Sequence, residues 1–153
     1  MNGSSQLNFT ERIESLKAGT LAAIALESLW VMFLGIHHSP WLPQSLVGAN
    51  LATPGTEHLL ISALLAGFSA FLFGVTYRYI IRQDQNQHLK MGAVLAFALV
   101  RALAAIEVGW GLSTPFWPWL LLGCENIILF AGATTLLEIA IRRRWLSPFP
   151  SSP

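Results

Sequence analysis

The chain has 153 residues, of which 54% are hydrophobic and 11% are charged, whereas soluble domains carry about 25% charged residues. This composition favours a protein that lies largely in lipid, and the formal net charge of +1 argues against a nucleic-acid partner, which would need a basic surface. Cys124 is the single cysteine, so an internal disulfide is excluded.

The N-terminal segment, residues 1–17, is polar, and it is expected to end in a short amphipathic helix. Phe9, Ile13 and Leu16 fall on one face of such a helix. A helix with one apolar and one polar face can lie on a membrane surface, so this segment is predicted to lead into the first span from there.

Four apolar stretches follow, each close to the length of about 20 residues that a helix needs to cross a hydrocarbon core about 30 Å thick. They are residues 18–36, 59–81, 91–110 and 116–141. A membrane β-barrel is excluded because the chain lacks the many alternating strands that a barrel requires. Residues 18–141 are therefore predicted to form an all-α integral membrane domain of four transmembrane helices.

Basic residues predict the orientation, since cytoplasmic loops carry an excess of lysine and arginine. They precede the first stretch, lie between the second and third, and follow the fourth: Arg12, Lys17, Arg78, Arg82, Lys90, Arg142, Arg143 and Arg144. The two other loops contain neither residue type, so both termini are predicted to be cytoplasmic. The tail, residues 142–153, is basic and then rich in proline and serine, and it is not expected to fold alone.

The chain contains an internal similarity. Residues 16–26 resemble residues 89–99, and residues 65–67 resemble residues 130–132 more weakly. Together they predict a duplicated helical hairpin in parallel orientation, as occurs in some transporters. The alternative is that leucine, alanine and glycine recur by chance in membrane helices.

Ionisable residues inside the spans are the main candidates for chemistry, because each costs about 2.5–3.5 kcal/mol to insert and so normally faces the bundle interior. Glu27, Arg101 and Glu125 are expected at nearly one depth when residues are counted from the predicted helix ends. Asn126 lies beside Glu125. We expect Arg101 to pair with Glu27, Glu125 or both, because a guanidinium has enough donors for two carboxylates.

This intramembrane charge cluster has two interpretations, a buried ion pair that fixes helix register and a proton or ion relay. A relay needs a polar path to both surfaces. Toward the basic side the spans offer only hydroxyls, which bond to carbonyls of their own helix and so count little as relay steps. The residues concerned are Thr20, Ser69, Thr76, Thr134 and Thr135.

Three histidines and Glu57 lie near the predicted outer ends of the first two helices. His37, His38 and His58 could bind a metal or, as a histidine pair, haem if these helices are neighbours. Their spacing matches no specific motif, so no cofactor is predicted, and a metal or haem is kept as an alternative. The sequence contains no phosphate-binding glycine loop, HExxH, CxxC or nucleophile elbow, so nothing in it requires an enzyme.

Two stretches resemble known families of four-helix proteins. The acid in Ala25-Leu26-Glu27-Ser28 resembles the first helix of small multidrug resistance transporters, which implies that Glu27 is a shared proton and substrate carboxylate. The long outer loop, the parallel repeat and the greater length depart from that family. Residues 98–107 resemble the third helix of the phosphate-starvation-inducible E family, although the second helix here lacks a matching acid.

The sequence favours a non-enzymatic subunit or assembly factor that packs against other membrane proteins or against itself, because its soluble segments are short and its helices carry small-residue faces. The alternative is a transporter of protons, ions or a small solute that uses Glu27, Arg101 and Glu125. A third interpretation is an enzyme or haem protein acting through the outer histidines. Low lysine content and the residues of 83–87 suggest a bacterial, in particular cyanobacterial, inner or thylakoid membrane.

Overall fold

The computed structural model describes residues 3–37, 39–40, 56–81, 87–109 and 117–146. This part of the chain forms four helices: α1 Gly3–His37, α2 Thr56–Ile81, α3 Gln87–Gly109 and α4 Trp117–Arg142. Each contains a stretch long and apolar enough to cross a membrane, namely Phe9–His37, Leu59–Ile80, Gln87–Glu107 and Trp117–Arg142. The prediction of an all-α, four-span architecture is confirmed to this extent, and the helices indicate a multi-pass membrane protein.

Helix α1 is much longer than a membrane crossing requires. Its 35 residues extend over about 52 Å, against a hydrocarbon core of about 30 Å. The predicted amphipathic segment forms the first turns of this helix and continues without a break into the first span. Phe9, Ile13 and Leu16 are exposed on these turns.

The helices pack in a ring in which each contacts its neighbours to a different extent. Helix α1 packs extensively against α2 and also against α4, and α3 packs mainly against α4. The contact between α2 and α3 is much smaller. The bundle is therefore tight within each hairpin and between α1 and α4, and looser along the seam between α2 and α3.

Small residues allow α1 and α2 to approach closely. A Cβ atom added to Gly74 would lie 2.5 Å from the carbonyl oxygen of Ala18, and one added to Gly19 would lie 2.6 Å from the ring of Phe71. Ala22 and Ala70 are completely buried. Close approach of this kind is how helices associate in lipid, where no hydrophobic driving force holds them together.

Aromatic rings fill the centre of the bundle. The ring of Phe73 on α2 lies 5.4 Å from that of Phe97 on α3 and 5.2 Å from that of Phe130 on α4, both edge to face. Tyr77 stacks one turn further along α2, at 5.4 Å from Phe73. Phe73, Tyr77 and Phe130 are fully buried. We refer to these three rings and that of Phe97 as the aromatic layer.

Helix α4 ends in a turn that returns the chain to the bundle. The amide of Trp145 donates to the carbonyl of Ala140, and that of Arg144 donates to the carbonyl of Ile141. This is the Schellman pattern, and Arg144 has the positive φ, 58°, that the pattern requires. The turn places Leu146 in the core, where it is 1% exposed.

Candidate intramembrane site

The side chain of Glu27 enters the interface between α1 and α2. Its Oε1 atom is buried and lies against Gly67, where an added Cβ would be 3.1 Å from it. This oxygen accepts no hydrogen bond with acceptable geometry. Gly67 therefore leaves room for a carboxyl group that a larger residue would displace.

Glu125 meets α1 at a different level. Its Oε2 lies 3.7 Å from Nε2 of His37, which forms an ion pair when the imidazole is protonated. His37 follows Glu27 by ten residues, or about 15 Å along the helix. The two acids therefore do not share the common depth expected from the sequence, because counting residues along each helix does not fix how far one helix is shifted against another.

Arg101 extends toward α2 instead of pairing with an acid. Its Nη2 donates to the carbonyl of Ser62 at 3.4 Å, a long hydrogen bond. Among the described side chains it forms no ion pair within 4.0 Å with Glu27 or Glu125, although it interacts electrostatically with both. The direct pair expected from the sequence is therefore absent among these side chains. Arg101 does not pair with Glu27 because α3 scarcely contacts α1, and Glu125 lies against His37 instead.

Asn126 is the most deeply buried member of the predicted cluster, with 4% of its surface exposed. Its Nδ2 donates to the carbonyl of Leu122 at 2.8 Å, so the amide is tied to its own helix. Its Oδ1 has no partner. In the described part of the chain, Oδ1 of Asn126 and Oε1 of Glu27 are the two buried side-chain acceptors without a hydrogen bond.

The outer histidines are described only in part. His37 contacts Glu125, whereas His38 and the side chain of His58 lie outside the described residues. Within the described residues, no group of three histidine, cysteine or acidic side chains could hold a metal ion. The metal or haem alternative at His37, His38 and His58 stays a prediction.

Four of the five hydroxyl groups that could have continued a polar path are bonded to their own helices. Each donates to the carbonyl four residues earlier, at 2.8 or 2.9 Å: Thr20, Thr76, Thr134 and Thr135. The aromatic layer lies in the same direction. Phe73 follows Gly67 on α2, and Phe130 follows Asn126 on α4. Buried rings thus separate the acids from the bundle end that carries Lys17 and Lys90, which we call the basic end.

A second polar group lies beyond the aromatic layer. Oε1 of Glu138 on α4 accepts hydrogen bonds from the hydroxyl of Tyr77 at 3.0 Å and from Nζ of Lys90 at 2.9 Å. This group joins α2, α3 and α4. The sequence suggested no link across three helices, since Glu138 precedes Arg142 by four residues and could pair along its own helix.

Arg78 is buried and bonded to α1, although the sequence grouped it with the basic residues between the second and third spans. It is 3% exposed, and its Nη1 donates to the carbonyl of Glu11 at 2.7 Å and to Oγ of Ser15. The sequence did contain a signal for this contact, because Arg78 falls inside the predicted span 59–81. An ionisable residue within an apolar span normally needs a partner inside the protein.

No protein-family model matches this chain, and no curated protein or solved structure has significant similarity to it. The resemblances to small multidrug resistance transporters and to the phosphate-starvation-inducible E family therefore rest on the residues quoted for them. The function has to be argued from the geometry of the bundle.

Proposed function

We propose that the protein is a non-enzymatic subunit or assembly factor that packs against other membrane proteins. The observation that carries this proposal is the aromatic layer, which separates Glu27 and Asn126 from the polar group at Glu138. A relay or solute path needs continuous polar side chains or water across the bundle. Fully buried rings at this position favour a structural role for the charges.

The exposed surface of the second hairpin supports packing against a partner. A Cβ atom added to Gly92 on α3 or to Gly123 on α4 would meet nothing within 4 Å. Ala96 lies one turn after Gly92 and is exposed as well. Small residues are needed where helix backbones approach each other, and a surface covered by lipid alone does not require them.

Purification in mild detergent from the native host tests this proposal. We expect defined membrane proteins to co-purify in fixed proportion with the tagged chain, and Gly92→Leu to lose them while the variant stays helical and monodisperse. Gly35→Leu is the matched control, because its added side chain also enters open space, on α1. A wild-type protein that purifies alone, without partners or self-association, would contradict the proposal.

A transporter of protons, ions or a small solute is the second candidate, and the two unpartnered acceptors of Glu27 and Asn126 favour it. Proton and cation flux into liposomes should be compared for the wild type, Glu27→Gln and Glu125→Gln. We expect no flux above that of protein-free liposomes. Flux in the wild type that disappears in either well-folded variant would replace the first proposal by this one.

We further propose that both termini are cytoplasmic, in a bacterial inner membrane or a thylakoid membrane. The support is the distribution of lysine and arginine in the sequence, to which Lys17, Arg142 and Arg143 contribute at the basic end. Reporter fusions at both termini should give the cytoplasmic signal. Opposite signals from the two ends would contradict the four-span topology, and two outer signals would reverse the orientation.

A further inference from the structure

An open groove lies between the N-terminal half of α1 and the turn that ends α4. It encloses about 300 Å³ and is lined by Lys17, Thr20, Leu21, Ile24 and Trp145. The hydroxyl of Thr20 is engaged with the carbonyl of Leu16, so the wall below Lys17 is almost entirely apolar. The groove thus combines one cationic side chain, Lys17, with a hydrophobic lining.

More cations lie beside this groove. Arg143 and Arg144 immediately precede Trp145, and both are exposed. Within the described residues neither arginine has an ion-pair partner, and Lys17 contacts only the partly exposed Glu14, at 2.8 Å. The basic end therefore carries positive charge that the described part of the protein does not neutralise.

The fold fixes the position of this charge. The Schellman turn directs Trp145 over α1, and the buried side chain of Leu146 anchors the turn in the core. Arg144 occupies the left-handed position that glycine normally fills, at a cost of about 1 kcal/mol for a residue with a Cβ. An arginine at this position supplies a charge that the turn itself does not need.

We propose that this groove binds one anionic phospholipid, with its phosphate near Lys17 and Arg144 and an acyl chain along Leu21, Ile24 and the ring of Trp145. Basic pockets at the ends of transmembrane helices attract anionic headgroups, and tryptophan rings favour the boundary between headgroups and acyl chains. A free phosphate has no apolar part that could contact the hydrophobic lining of the groove. The inference does not depend on the proposed function.

Native mass spectrometry of the purified protein, titrated with phosphatidylglycerol or phosphatidylcholine, tests the site. We expect one phosphatidylglycerol to be retained at lower lipid concentration than phosphatidylcholine. The double variant K17Q/R144Q should raise the concentration for half occupancy by about fivefold for each cation removed. The control R12Q/K90Q removes the same charge from two residues that do not line the groove, and it should change this concentration by less than twofold.

Two further measurements address the acyl chain. Ile24→Trp fills the groove without altering charge and should lower retention of phosphatidylglycerol. Phosphatidylglycerol brominated on its acyl chains should quench the fluorescence of the wild type more than that of Trp145→Phe. If K17Q/R144Q does not fold, the retention by Ile24→Trp and the quenching of Trp145→Phe still test the lipid site. Unchanged retention together with equal quenching would overturn the proposal.

Other results contradict the site directly. Equal retention of the two lipids by the wild type would remove the headgroup contact, and equal effects of the two double variants would reduce it to diffuse surface charge. A protein that retains neither lipid and forms a dimer, which Ile24→Trp dissociates, would assign the groove to a second copy of the chain instead.

Discussion

The two helical hairpins have similar sequences but pack differently. Gly19 on α1 is pressed against Phe71 of α2, whereas its counterpart in the repeat, Gly92 on α3, meets nothing within 4 Å. The second pair of helices differs in the same direction, since Ala66 on α2 is buried and its counterpart Ala131 on α4 is exposed. Similar residues therefore occupy unlike environments, and the duplicated hairpin stays a prediction.

The hairpins are also stabilised by different contacts. The first depends on close backbone approach at Gly74 and on the buried guanidinium of Arg78. The second depends on the pair of rings Phe97 and Phe130, 6.0 Å apart, and on the partly exposed contact between Lys90 and Glu138. The comparison teaches that a glycine in a membrane helix indicates close packing only where a partner helix covers it.

The largest difference between the hairpins is expected from leucine at their glycines. Gly74→Leu drives a side chain into the backbone of Ala18, and overpacking of this kind should cost about 3 kcal/mol. Gly92→Leu should change the free energy of unfolding by less than about 0.5 kcal/mol, because the space around it is open. Unfolding in mixed micelles measures both, and equal losses would refute the contrast between the hairpins.

A smaller loss is expected when the polar anchor of the first hairpin is removed. Arg78→Met deletes hydrogen bonds to Glu11 and Ser15 and should lower the free energy of unfolding by about 2 kcal/mol, the usual scale for bonds to a charged donor. Arg12→Met, at an exposed position of α1, is the control and should be close to neutral. If both variants unfold alike, Arg78 does not anchor the hairpin.

The contact across the seam between α2 and α3 should contribute less than either of these. Arg101→Met removes the long bond to the carbonyl of Ser62 and should cost about 1 kcal/mol, within the range measured for polar contacts between membrane helices. Val100→Met, one residue earlier and exposed, serves as the control. A loss several times larger would indicate that Arg101 pairs directly with Glu27 or Glu125 in the membrane.

The smallest effect is expected at the polar group of the second hairpin. A double-mutant cycle with Lys90→Met and Glu138→Gln should give a coupling energy of about 0.5 kcal/mol, because both side chains are partly exposed. Added salt should reduce it further. Tyr77→Phe gives the separate contribution of the hydroxyl. A coupling as large as the loss from Arg78→Met would show that the two hairpins are anchored equally well.

The four spans could be read from the sequence because lipid imposes a length of apolar residues and the satisfaction of every backbone group within the helix. The same reasoning identified Glu27, Arg101 and Glu125 as charges that need an explanation, and the small-residue faces as surfaces where helices could approach. It could not separate Gly74 from Gly92, since each lies in a similar run of small and apolar residues.

The sequence by itself determined the number and approximate limits of the helices, the basic residues at their ends and the set of intramembrane charges. Only the tertiary structure decided that Glu125 meets His37, that Arg101 reaches Ser62 and that Arg78 is buried against α1. Hydrophobicity acts on each helix separately, so one sequence stretch is enough to show it. The shift and rotation of one helix against another depend on which side chains interlock across the bundle, and no single stretch contains that information.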